Sequence, residues 1–145
     1  HDACAVPKRR VRFVQGCAGM KGRWLDRALV IGPYVTLCTT EKMFHAAMTH
    51  LKLDRADWPA FTKSSHANAT VHLLESDIGL SAVVCIPPSD KTGIQIAALL
   101  VHEAVHIWQE YRRWIGEKYP SDEFEAYSIQ MISQELMQEY ARQAL

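Results

Sequence analysis

Residues 92–115, TGIQIAALLVHEAVHIWQEYRRWI, decide the fold. Apolar side chains recur at spacings of three and four from Ile96 to Trp108, and Gly116 follows as a C-terminal cap, so the spacing predicts one long helix. On a helical wheel His102, His106, Gln109 and Arg113 make one polar arc, with Glu103 and Glu110 at its edge. Ile96, Ala97, Leu100, Val101, Ala104, Val105, Ile107 and Trp108 fill the remainder. The first two turns carry no charge, which predicts a largely buried helix whose histidines face an interior cleft.

Working outward, Pro120 and Ser121 open a last helix over residues 121–144, with Ile129, Ile132, Leu136 and Tyr140 as its buried stripe. Upstream, the runs 69–74 and 80–86 are separated by Ser76, Asp77 and Gly79, the signature of an antiparallel hairpin, and Pro87-Pro88 ends the second strand. Thr39 or Thr40 can cap a helix that starts at Glu41 and ends near Leu53. Residues 54–68 read as a loop with a short helical turn at most. Residues 28–38 predict a strand interrupted at Gly32-Pro33, and residues 11–14 another. This order predicts an α+β fold, a small antiparallel sheet packed on helices. Residues 1–9 are expected to be a flexible leader and residues 10–145 a single domain.

The chain of 145 residues has 16 basic and 16 acidic side chains, and 48% of it is apolar. That balance suits one globular domain and excludes a disordered or collagen-like chain. Zero net charge exerts no general pull on nucleic acid or membrane, so neither is expected as a partner. A basic cluster, Lys8, Arg9, Arg10 and Arg12, reads mainly as solvated surface. No apolar run reaches the length of a membrane span. Cys4, Cys17, Cys38 and Cys85 lack paired metal-binding spacing and read as free, mostly buried thiols, which predicts a reducing, cytoplasmic setting.

The chemistry lies in His102-Glu103-Ala104-Val105-His106. Histidines four apart leave one face of a helix and can share a cation, and zinc suits two imidazoles plus a carboxylate with one position open. Glu103 is then placed to act as general base on a water. A third ligand is expected downstream, among Asp122, Glu123 and Glu125, because the short connection 116–120 folds the last helix back beside the long one.

The pattern resembles the gluzincin, or thermolysin-like, zinc metallopeptidases, in which His-Glu-x-x-His is followed by a helix bearing a ligand glutamate as Glu-x-x-small. The resemblance covers about residues 80–130. It implies a zincin-like fold, zinc as cofactor, hydrolysis of a peptide or protein substrate, and an edge strand at residues 80–86 for pairing with that substrate. Glu123-Phe124-Glu125-Ala126 matches with Glu123 as ligand, and Glu125-Ala126-Tyr127-Ser128 matches with Glu125. Glu123 fits the edge of the buried stripe, as that arrangement requires, so His102, His106 and Glu123 form the expected set, with Glu125 the alternate or a hydrogen-bond partner of a ligand histidine. Many gluzincins carry an acid four residues after the ligand glutamate, where this chain has Tyr127.

The whole chain, including Val14-Gln15-Gly16-Cys17 and Ile31-Gly32-Pro33-Tyr34, also looks like a group of small phage and prophage proteins, which implies the cytoplasm of a bacterial host cell. That likeness supplies an alternative function: a non-catalytic metal-containing binding module in phage assembly or control of a host protein. Tyr111, Tyr119 and Tyr127 can each donate to an oxyanion. His45, His50, His66 and His72 are expected to be surface or hydrogen-bonded residues.

Overall fold

The computed structural model describes residues 32–145. The expected strand at 11–14, the part of the next one before residue 32, the leader, the basic cluster, Cys4 and Cys17 lie outside the described residues. Strand β1 spans Tyr34–Cys38, helix α1 Glu41–His50, strand β2 Thr70–Ser76, strand β3 Gly79–Cys85, helix α2 Gly93–Trp114 and helix α3 Asp122–Ala144, with a 3-10 turn at Arg55–Asp57. The protein is therefore α+β.

Each helix starts where a side chain can satisfy the backbone N–H groups that have no partner in the first turn. Thr40 Oγ1 accepts from Met43 N at 3.2 Å, and Ser121 Oγ accepts from Phe124 N at 3.2 Å. Thr92 and Gln95 exchange two such bonds, a capping box. Gly116, at φ +79°, follows the end of α2 in the left-handed conformation that suits glycine.

The sheet order is β1-β3-β2. β2 and β3 form the expected antiparallel hairpin, but β1 lies parallel to β3, so the sheet is mixed rather than antiparallel. Residues 80–86 consequently form the central strand, not an edge; among the described residues β1 and β2 hold the edges. The reason lies in β3 itself. Leu80, Ala82, Val84 and Ile86 face α2 and α3, while Val83 and Cys85 face α1, so both faces of the strand are covered. An apolar run without alternation belongs in that central place.

Two cores result. The larger joins Leu37, Leu80 and Val84 to Leu100, Ile107, Trp108 and Leu136. The smaller holds Cys38, Phe44, Met48, Val83 and Cys85 beneath α1. The expected stripe of α3 is present, with Ile132 and Leu136 buried and Ile129 and Tyr140 packed at its margin.

Candidate metal centre

α2 brings the two histidines together. His102 Nε2 and His106 Nε2 lie 3.1 Å apart, with ring centroids at 4.8 Å and planes crossed at 75°. Both residues are exposed, whereas the sequence placed them in an interior cleft. Glu103 departs in the opposite sense: expected at the rim of the polar arc, it is 5% exposed and stands on the buried stripe with Ile96, Leu100, Ile107 and Tyr111. The cause is the angle at which α2 sits on the sheet. Residues 96, 100, 103, 107 and 111 form the stripe at spacings of three and four, which puts Glu103 inward and leaves the histidines about a quarter to a third of a turn away.

His102 and Glu103 meet along an open groove of about 540 Å³ that also involves Asn68, Lys91, Gln95 and Leu99. Sequence reasoning missed Asn68 and Lys91. Each sits just before an element, Asn68 ahead of β2 and Lys91 ahead of the Thr92 cap, where no periodicity marks a functional face. None of Tyr111, Tyr119 and Tyr127 lines the groove; Tyr111 is buried and its hydroxyl is pushed above the usual phenol range by desolvation, while Tyr119 and Tyr127 are exposed. His72 is a structural residue: its Nε2 lies 3.2 Å from Phe61 O and its ring packs on Phe44.

The third ligand is not in place. Glu123 and Glu125 both lie in the first turn of α3 and both are exposed. Glu125 Oε2 accepts a hydrogen bond of 2.9 Å from Trp108 Nε1, not from a histidine. Trp108 follows His106 by two positions, about 200° further round the helix, so a group bound to the indole stands away from the imidazole face. Phe124 packs edge-on against the same indole at 5.0 Å and fixes α3 on that side. Among the described residues no three His, Cys, Asp or Glu side chains stand close enough to hold one metal ion.

The two imidazoles nevertheless fit such an ion. Nitrogens each about 2.0–2.1 Å from a tetrahedral zinc stand about 3.3 Å apart. The observed 3.1 Å is close to that spacing and needs no change of backbone. Comparison of the chain with known protein families, with characterised proteins and with solved structures gives no match.

Proposed function

We propose that this protein is a compact zinc-dependent metallopeptidase of the gluzincin type, an endopeptidase acting on a peptide or protein substrate. One observation carries the reading: two histidine nitrogens held 3.1 Å apart on one helix face, with Glu103 next to His102 in sequence and lining the same groove as His102. His102 and His106 hold the metal, and a carboxylate from the start of α3, Glu123 or else Glu125, completes the set. Zinc, when bound, supplies Lewis acidity that lowers the pKa of a water to about 7.

Glu103 takes the proton of that water as general base. Its backbone position is fixed by the buried stripe of α2, which limits the rotamers open to its carboxylate, while its placement on the groove gives it an approach to substrate. Lys91 and Asn68, which line the same groove, supply groups that bind the polypeptide backbone or an acidic side chain. A second reading, a non-catalytic metal-containing module, is favoured by the engagement of Glu125 with Trp108 in place of a histidine.

Metal analysis followed by a peptide-library digest tests the proposal. About one zinc per chain with chelator-sensitive cleavage supports a peptidase; zinc without cleavage supports the binding module, and no bound zinc removes both.

A further inference from the structure

On the opposite face of the sheet from α2, Cys38 and Cys85 end two parallel strands as direct partners in the register. Partners in neighbouring strands point to the same face, and strands about 4.8 Å apart hold their Cα atoms within the range that a disulfide spans. Both thiols are free and nearly inaccessible, at 1% and 0% exposure. We propose that Cys38 and Cys85 form a peroxide-reactive dithiol, with Cys38 the attacking sulfur and Cys85 the resolving one, which closes to a disulfide joining β1 to β3.

Three observations support this assignment. The first is the register itself. The second is access: Cys38, but not Cys85, lines a cavity of about 450 Å³ between β1 and α1, whose rim carries the exposed Tyr34 and Ile78. Its wall also includes Ser81, whose buried hydroxyl has no hydrogen-bond partner among the described residues. Hydrogen peroxide is small enough to enter and both donates and accepts. The third is the division of labour between the sulfurs. The Cys85 thiol hydrogen-bonds to Cys38, which holds Cys38 below the usual thiol range and pushes Cys85 above it, an effect that burial adds to at Cys85. The thiolate is the nucleophile, so Cys38 reacts first.

In the first step the Cys38 thiolate attacks one peroxide oxygen and the O–O bond breaks. The departing hydroxide takes up the proton Cys38 gave up, leaving water and a sulfenic acid at Cys38. In the second, the Cys85 sulfur attacks the Cys38 sulfur, the S–O bond breaks, and the hydroxyl leaves as water with the Cys85 proton. Two thiols lose two electrons, and one hydrogen peroxide becomes two waters.

Reduced full-length protein treated with a small excess of hydrogen peroxide, then alkylated, digested with trypsin and mapped by mass spectrometry, tests this. The expected product is a peptide pair joined between Cys38 and Cys85 that has lost two hydrogens, with a melting temperature raised in the intact protein and restored by dithiothreitol. Cys85→Ser should leave a sulfenic acid at Cys38 that dimedone traps; Cys38→Ser should leave Cys85 unoxidised. Alanine variants at the same positions serve where serine is poorly tolerated, and circular dichroism checks their fold. The proposal is overturned by a disulfide running from either residue to Cys4 or Cys17, by both thiols remaining alkylatable after unfolding, or by dimedone trapping Cys85 in Cys38→Ser. The wild-type map decides the matter even if no variant folds.

Discussion

Trp108 Nε1 donates to Glu125 Oε2 at 2.9 Å, and this bond joins the middle of α2 to the first turn of α3. The indole is 1% exposed and belongs to the main core, so its N–H has few alternative partners. Trp108→Phe keeps most of the apolar contact and removes the donor. It should destabilise the fold by about 1–2 kcal/mol, the net worth of a hydrogen bond to a charged group with some solvent access. Trp108→Ala, which also opens a cavity, should cost about 3–5 kcal/mol. Urea unfolding monitored by circular dichroism measures both; a Trp108→Phe variant as stable as the parent would show that packing alone accounts for the residue.

The histidine pair sets the next expectation. His102→Ala or His106→Ala should abolish stoichiometric zinc binding, because a single imidazole and a distant carboxylate hold the ion poorly. Since both side chains are exposed, neither change should alter the melting temperature of the metal-free protein by more than about 1–2 °C, the shift associated with roughly 0.5 kcal/mol at the surface of a chain this size. Elemental analysis and calorimetry on the same samples check the two halves of this statement. Unchanged zinc content in both variants would remove the metal centre.

Much of this architecture is legible in the sequence, for identifiable reasons. The long helix, the hairpin and the last helix are each framed by strong punctuation: Thr92 and Gly116, Asp77 and Gly79, Ser121. Strand direction is not legible, because the placement of β1 beside β3 depends on which face of residues 80–86 each helix covers, and a run that is apolar except for Ser81 shows no preferred face. The site divides in the same way. The His102 and His106 spacing follows from helix geometry alone, but the inward turn of Glu103 depends on how α2 rotates against the sheet. Trp108 read as a core residue, which it is; its N–H, which captures Glu125, has no periodic signal.

The far end of α3 makes a pH prediction. Glu139 accepts hydrogen bonds from Arg142 Nε and Gln143 Nε2, both at 2.8 Å, and these hold its carboxyl down at about 2, against an ordinary value of 4.5. Gln143 in turn donates to Leu37 O at 2.9 Å, so the cluster anchors α3 to β1. A carboxyl whose pKa is lower in the folded state stabilises the fold above its unfolded pKa and loses that contribution as pH falls toward the folded value. The contribution is therefore complete above about pH 4.5 and fades toward pH 2. Because the pair is largely solvent-screened, the effect is small. Glu139→Gln should flatten the acid limb of a stability-versus-pH curve in that window by costing a small amount of stability above about pH 4.5 and almost none near pH 2. A parallel downward shift at every pH would mean that Glu139 acts by packing.

Glu103→Gln separates the general base from the metal. The amide keeps the size of the side chain in its nearly buried position but cannot take a proton. Zinc content should stay at the parent value while hydrolysis falls by about 100-fold or more. Cleavage at the parent rate would assign any hydrolysis to another group.

Glu123 and Glu125 are distinguished by what each already does. Glu125 has one carboxylate oxygen committed to Trp108, and moving it to the imidazole face would strip the buried indole of its partner. Among the described residues Glu123 has no such commitment to break, and it belongs to the same first turn of α3. Glu123→Ala should therefore weaken zinc binding about as much as loss of a histidine, whereas Glu125→Ala should weaken it by about 10- to 100-fold, the scale of a residue that orients the ligand helix. Trp108 reports independently. The difference between the emission of the parent and of Trp108→Phe isolates this indole from the other tryptophans, and with Glu123 as the ligand that difference should be the same before and after zinc is added. A shift of Trp108 emission on zinc addition, coupled with loss of binding in Glu125→Ala, would place Glu125 on the metal and show that α3 exchanges its anchor on α2 for the ion.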